Sequence, residues 1–443
     1  MIPNREPEIR IGIVLPEDRY TQIAGQIPSA SRYLVIDAQG RKELIPAGGA
    51  FEVSVQQEVL VFKAAEWTGS SSSFRLESAE EMVLAPGSGI QLQNVIAGRH
   101  FHWKKTIDVF LPGRLIFTMR NGMLQVTNQL DFEQYLACVA TSEMSPECPA
   151  ALLEAQTIAA RSWLLAAVEK KHADLGLDAC NDDCCQRYQG TTFLTSEALR
   201  STLRTRGQVL MFEDQLCDAR YSKSCGGMME AFENVWGGNP KPYLIVKADA
   251  TDDFKRRYHL TREEDLRAWL KEVPRTFCSP HYVSEKELSR YLGGVDESSR
   301  YFRWNVCISQ DELTNQLNAV LDLNAEAVLG FRALQRGGSG RLVKLEIAYQ
   351  NRNGKKDTVI LKGDYAIRRA LHPKFLYSSA ILIEPIADTS TAVPEKFRIE
   401  GAGWGHGVGL CQIGALGMAL AGYSSNAILN HYYPGAVIKT LYP

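Results

Sequence analysis

The chain has 443 residues, 45% of them hydrophobic and 23% charged, with a formal net charge of -2. That length exceeds what one ordinary core absorbs, so two domains or one large elaborated domain are expected, with ample apolar material for globular folding. Without a basic excess there is no electrostatic case for nucleic acid as a partner, and no apolar run approaches the roughly 18–20 residues of a membrane span.

From Glu8 to about Gln129 short β-type runs alternate: Ile9, Ile11 and Ile13, then Phe51, Val53 and Val55, then Ile107, Val109 and Leu111. Asp37-Ala38-Gln39-Gly40 and Asn121-Gly122 supply turn chemistry between them, and Ser70 to Ser73 reads as a loop tip. At Asp131 the apolar period becomes helical. Pro146 and Pro149 interrupt it, which predicts two helices, about 131–143 and 149–171, with Pro149 in a first-turn position. A Cys- and Asp-rich loop runs from Gly176 to Gly190, and short strands follow near Gln208–Phe212 and Ala219–Ser222. Helical segments at 262–272 and 284–292 look like an inserted subdomain or a surface excursion. Arg341–Tyr349 and Asp357–Lys362 alternate as strands around the Asn351-Arg-Asn-Gly354 hairpin, Asp388–Glu395 is a Ser/Thr/Pro loop, and a helix is expected near Ser424–Tyr432. The class is α+β: a β-rich N-terminal region, then a mixed α/β part.

Four segments could carry chemistry. Thr141-Ser142-Glu143-Met144-Ser145-Pro146 puts a carboxyl at a helix end before a Pro-bounded bend, with Gln156 and Arg161 on the following helix. A carboxyl held rigidly and partly out of water favours the protonated form that a general acid needs. Cys180-Asn-Asp-Asp-Cys184-Cys185, with His172 upstream, offers the soft donors that structural zinc prefers. Asp182 and Asp183 add negative charge beside them. A local disulfide or buried free thiols would give the same spacing, and adjacent cysteines rarely both ligate one ion. In the segment 401–409 five glycines alternate around Trp404 and His406, letting backbone approach a ligand. The spacing fits neither a dinucleotide fingerprint nor a phosphate loop. Trp404 suits stacking on a sugar face, and His406 could orient a hydroxyl. Finally, Tyr221-Ser222-Lys-Ser-Cys225-Gly-Gly, Val235-Trp236-Gly-Gly and Pro242-Tyr243 supply residues for a groove wall, with Ser222 and Tyr243 as the binding candidates. A nucleophilic Cys225 is disfavoured because no base stands nearby in the sequence.

Taken together, DFEQYLACVATSEM, EAQTIAARSW, CNDDCCQRYQG, YSKSCGG, ENVWGG, PYL, GWGHGVGLCQIGA and HYYPGAVIKTLY, in this order, resemble the stage II sporulation protein D family, which includes amidase enhancers of cell-wall metabolism. The resemblance runs from Gly113 to Tyr442 and implies a catalytic domain over 106–443 with a helical insertion at about 255–300. Residues 1–105 are left as a β-rich domain of unknown role. It implies a lytic transglycosylase acting on peptide-free glycan strands, with Glu143 as acid/base and Arg161 in the groove. It also implies a zinc beside the groove. Cys180 and Cys185 match the family's cysteines, Cys184 stands where a His is usual, and His172 lies at a plausible upstream distance.

The chemistry fits a single carboxylate. Glycoside hydrolases ordinarily use two, whereas a lytic transglycosylase closes the substrate's own C6 hydroxyl onto C1. Two rivals remain: a non-catalytic glycan-binding module that stimulates an N-acetylmuramoyl-L-alanine amidase, and zinc hydrolysis, disfavoured because Cys-rich sites are more often structural. Such a substrate lies outside the cytoplasm, so an extracytoplasmic location is expected. The opening MIPNREPEIRIGIVLP has no hydrophobic signal core or cleavage site, so the export signal is expected to be absent from this chain.

Overall fold

Alternating strands bury one face each, and two such faces packed together make the first core. The computed structural model describes residues 3–99, 101, 104–251, 258–292, 300–386 and 393–443. It divides into two compact units: unit 1 is Met1–Asp218, Tyr291–Val295 and Ile438–Pro443, and unit 2 is Ala219–Arg290 and Asp296–Val437.

Unit 1 is built on two sheets. The seven-stranded one runs, in spatial order, Ala179–Cys180, Glu8–Val14, Met123–Asp131, Arg114–Arg120, Phe74–Ser78, Tyr33–Asp37, Lys42–Ile45. The six-stranded one runs Lys105–Leu111, Ile90–Ala97, Gln22–Gln26, Ala50–Gln56, Val59–Ala64, Trp67–Ser71. Buried rings join them: Phe62 lies 5.5 Å from Phe74 and 6.0 Å from Phe117, and Phe51 lies 6.2 Å from Phe117, between centroids. Each ring contributes about 1.5–3 kcal/mol by leaving water. Asn121 (φ 52°) and Gly122 (φ 73°) close the two-residue turn between Arg114–Arg120 and Met123–Asp131, as their residue types predict.

The expected boundary at 105/106 does not coincide with these units. Strands before it find partners after it: Glu8–Val14 pairs with Met123–Asp131, Phe74–Ser78 with Arg114–Arg120, and Ile90–Ala97 with Lys105–Leu111. Unpaired strand edges are costly, so the sheets hold both segments as one body. The Ser70–Ser73 tip is shorter than expected, because Ser70 and Ser71 end a paired strand.

Two helices follow the last long strand, α1 (Phe132–Glu143) and α2 (Ala150–Ala166). Pro149 is the residue before α2 rather than in its first turn. α2 stops five residues earlier than the sequence period suggests, since 171 − 166 = 5, because Ala167 adopts a left-handed conformation (φ 46°) that ends the hydrogen-bond ladder.

Unit 2 contains two three-stranded antiparallel sheets. One is Arg303–Ser309, Lys396–Ala402, Ile381–Ile386; the other is Ala325–Arg336, Leu342–Asn351, Lys356–Lys362. Helix Gln310–Leu321 packs Leu313 and Leu317 against Val328, Leu345 and Ile347, and starts at a capping box in which Ser309 and Glu312 satisfy each other's backbone. The helices expected at 262–272 and 284–292 are present as Glu263–Lys271 and Glu285–Tyr291. The first is no surface excursion: Leu266, Trp269 and Leu270 are buried with Met228, Leu260, Leu382 and Ala402. Residues 252–257 and 293–299 of the expected insertion, and 387–392 around the Ser/Thr/Pro loop, lie outside the described residues. The fold class is α+β, as expected. Among the described residues no helix is long and apolar enough to cross a membrane.

Candidate active site and metal centre

Glu143 is the last residue of α1, with a side chain driven almost entirely out of water: the residue is 7% exposed. Its Oε1 accepts the backbone N–H of Arg187 at 3.0 Å. One residue earlier, Ser142 Oγ donates to Cys138 O at 2.8 Å and accepts the N–H of Gln189 at 3.1 Å. The segment 187–189 is thus laced along the end of α1. Beyond the helix the backbone turns extended at Met144, which bridges to Leu292, and Ser145 N–H donates to Tyr291 O at 3.0 Å. The far end of the expected insertion braces the chain just past the carboxylate.

Other acidic side chains near in sequence are placed elsewhere. Asp131 and Glu147 are exposed. Glu133 lies ten residues back along α1, about 15 Å at the helical rise, beyond the roughly 5–9.5 Å that separates paired glycosidase carboxyls. It is also engaged by Arg161. This corrects the expected role of Arg161: it is 0% exposed, its Nε and Nη2 grip Glu133 at 2.9 and 2.6 Å, and Nη1 donates to Gln208 O at 2.8 Å. Gly207 N–H and Tyr442 Oη complete the coordination of Glu133 Oε1 at 3.3 and 2.8 Å. A guanidinium so enclosed ties α1 to α2 and cannot meet a substrate. Gln156, on α2, is likewise 1% exposed and offers no accessible face.

The Cys-rich loop brings all four expected donors together. The ligand atoms of His172, Cys180, Cys184 and Cys185 lie within 4.8 Å of one another, including both adjacent cysteines. Cys180 is fixed by the sheet, where Gly12 pairs with it in parallel register. Cys184 Sγ lies 3.1 Å from Cys180 Sγ and 3.7 Å from His172 Nε2. All ten cysteines are free thiols. Hydrogen bonding to Cys184 and Cys185 pushes the His172 imidazole up to about 10, and the thiol of Cys184 is held well below its usual range by Cys180 and Cys185. Three thiols and an imidazole on one small loop suit a tetrahedral thiophilic ion, which would supply structural fixation here. Asp182 and Asp183, expected to attract that cation, are occupied otherwise. Asp182 accepts Gly98 N–H and Arg99 N–H at 3.0 and 2.6 Å, and Asp183 pairs with Arg187.

In unit 2 the remaining candidates sit as follows. Trp404 is only 8% exposed, with Tyr301 and Tyr377 rings 4.4 and 5.6 Å away. Its face is covered by Tyr301, so the expected sugar-stacking role gives way to core packing. Ser222 is buried, its Oγ accepting Gly407 N–H at 3.2 Å, and Tyr243 is buried as well. His406 is partly exposed; Nδ1 accepts Val408 N–H at 3.0 Å. Burial, with Arg220, Arg341 and Arg368 adding their positive charge, holds its imidazole well below 6.5, so it is neutral at pH 7. Trp236 is more open, 36% exposed, 4.8 Å from the His406 ring and 4.4 Å from the Arg220 guanidinium. Its signal was present: the Trp ends a short helix directly before Gly237 and Gly238, both at positive φ with open space around them.

Comparisons with known proteins bear on the same segments. Residues 120–212, which contain α1, α2 and the Cys-rich loop, match the family described as stage II sporulation protein, and residues 230–409 match a domain of unknown function. An uncharacterized protein of Brachyspira hyodysenteriae is 26% identical over 330 residues, 74% of this chain and 71% of that protein. The amidase enhancer of Bacillus subtilis is 29% identical over 309 residues, 68% of this chain and 40% of that protein, so the match spans two fifths of that relative's length. With the ordered motifs all in place, the chain is similar to the stage II sporulation protein D and amidase-enhancer family, whose model matches residues 120–212.

Proposed function

We propose that this protein acts on bacterial cell-wall glycan as a lytic transglycosylase, with Glu143 as its general acid and base. The observation that carries the reading is a nearly buried carboxyl at a helix end, fixed by a backbone N–H, with its nearest helical companion about 15 Å away and already ion-paired. Glu143 donates its proton to the bridging oxygen as the glycosidic bond breaks. The carboxylate then takes the proton of the muramoyl C6 hydroxyl while that oxygen bonds to C1, leaving a 1,6-anhydro end and a regenerated acid. The substrate's own N-acetyl group can support the cation-like intermediate, so no second protein carboxylate is needed. His172, Cys180, Cys184 and Cys185 would hold a zinc ion that fixes the loop; Cys185 precedes Arg187, the donor to Glu143, by two residues. This role puts the protein outside the cytoplasm, and within unit 2 Trp236, exposed beside the partly exposed His406, is by itself a candidate to meet a sugar.

A second reading, favoured by the name of the Bacillus relative, is a non-catalytic enhancer that binds glycan and assists an amidase. Mass spectrometry of peptide-free glycan strands incubated with wild type and Glu143→Gln separates the two. Anhydro-muramic ends lost in the variant support the transglycosylase. Intact strands with both proteins would transfer the proposal to the enhancer, and products carrying an added water would show a hydrolase instead.

A further inference from the structure

Away from Glu143, unit 2 gathers a second group of soft donors. Cys225 follows strand Tyr221–Ser222, Cys411 ends the strand that pairs with it, Asp249 follows Lys247–Ala248, and Cys278 comes from the turn after helix Glu263–Lys271. Four separate stretches of sequence thus converge, one of them from the helical segment to which the sequence assigns no role. All four residues are buried, and their ligand atoms lie within 4.8 Å of one another.

The spacing is that of a coordination shell. A tetrahedral zinc with bonds of about 2.3 Å to sulfur and 2.0 Å to oxygen has edges of about 3.8 Å between sulfurs and about 3.5 Å from sulfur to oxygen. Cys225 Sγ lies 3.6 Å from Cys278 Sγ and 3.4 Å from Asp249 Oδ2. A disulfide would need the sulfurs at about 2.0 Å, and three thiols cannot all pair.

The surroundings orient the carboxylate. Tyr432 Oη donates to Asp249 Oδ1 at 2.8 Å, and His431 Nε2 lies 3.4 Å from the same oxygen. Lys247 Nζ sits 3.3 Å from His431 Nδ1; an ammonium only donates, so Nδ1 accepts and Nε2 carries the hydrogen. Tyr432 thereby holds Oδ1 from behind, while Oδ2, which also accepts Cys278 N–H at 3.1 Å, lies beside Cys225 Sγ, as the supporting groups of metal ligands arrange. Cys411 Sγ accepts N–H groups of Cys225 and Gly414 at 3.2 and 3.3 Å, a setting that favours a thiolate acceptor. Gly414 permits the approach, since a Cβ there would stand 2.5 Å from Asp249 Oδ2 and 2.2 Å from Tyr432 Oη.

We infer that Cys225, Cys278, Cys411 and Asp249 form a second metal site, closed and structural, that takes a thiophilic divalent cation of the zinc type. It pins the paired strands, the 274–279 turn and the start of helix Gln412–Leu420 to one point. With no face open to solvent it holds the unit together rather than activating water.

The test counts metal in the full chain, grown with zinc and measured by plasma mass spectrometry after desalting. Cys180→Ser/Cys185→Ser removes two of the four donors of unit 1 and is expected to keep one equivalent of zinc; Cys225→Ser/Cys411→Ser is expected to hold one equivalent less than wild type. If the latter variant does not fold, the Cys180→Ser/Cys185→Ser chain is loaded with cobalt, whose thiolate charge-transfer absorption is expected at an intensity for three sulfurs. Loss of all stoichiometric metal from that chain, a cobalt spectrum without thiolate bands, or a peptide map showing a disulfide within Cys225, Cys278 and Cys411 would each overturn the assignment. The result does not depend on whether glycan is cut.

Discussion

Arg161 offers the sharpest contrast between a role implied by resemblance and one implied by geometry. As a groove residue, its loss would abolish glycan turnover and leave the fold alone. As the buried partner of Glu133, its loss strands a carboxylate with 7% side-chain exposure, still facing only Gly207 N–H and Tyr442 Oη. Removing one member of such a buried pair costs about 3–5 kcal/mol. For a unit of this size each kcal/mol moves the midpoint by about 2–4 °C, so Arg161→Ala and Glu133→Ala should each lower the first thermal transition by about 6–20 °C. The double variant should cost less than the two single losses added, because neither charge remains to be stranded. Calorimetry of the three variants measures this. Glycan cleavage, assayed well below each midpoint, should persist. An Arg161→Ala protein that melts within 1 or 2 °C of wild type, as surface substitutions of about 0.5 kcal/mol do, yet cuts no glycan would refute the structural assignment.

Two further outcomes follow from unit 2. Trp404→Ala should destabilise by about 3–5 kcal/mol in denaturant unfolding, whereas Trp236→Ala should change stability by under about 1 kcal/mol and weaken glycan binding about fivefold or more; equal effects on both measurements would contradict the exposure assigned to each ring. His406 is neutral in the folded protein, and its unfolded imidazole takes a proton near pH 6.5. Below that pH the unfolded state binds one proton more, so stability is full above about 6.5 and falls as acid is added, by about 1.4 kcal/mol per pH unit from this group. Urea titrations of wild type and His406→Asn between pH 7 and 5 should show a shallower decline in the variant; parallel declines would place the acid sensitivity elsewhere.

The helices and the turns could be read from sequence because they rest on local rules, whereas the choice of Glu143 as the acid came from the ordered motifs and not from spacing. Asn121-Gly122 needs positive φ, Pro146 and Pro149 separate α1 from α2, and Glu143 ends α1 because the extended backbone at Met144 cannot continue it. What was not legible depends on partners far along the chain. Arg161 and Glu133 are 28 positions apart, and Tyr442 reaches the same carboxylate across 309, so no periodicity announces the enclosure. Trp404 reads as a displayed aromatic until Tyr301 is placed over it. Cys225, Asp249, Cys278 and Cys411 are spread over 186 positions, and only the fold makes them neighbours. The division at 105 fails for a related reason: strand pairing, not composition, decides which residues form one body.

The return of residues 438–443 to unit 1 sets a timetable for biosynthesis. Strand Val437–Thr440 joins the sheet of Gln208–Phe212, Leu441 N–H meets Gly207 O at 2.9 Å, and Tyr442 completes the shell around Glu133. At about 5–20 residues per second, the roughly 220 residues of unit 2 take about 11–44 s to emerge from the ribosome. Throughout that interval the nascent first unit has an open sheet edge and an incompletely coordinated ion pair. The sheet of Gln208–Phe212 and the shell around Glu133 are therefore completed only after the whole of unit 2 has been made.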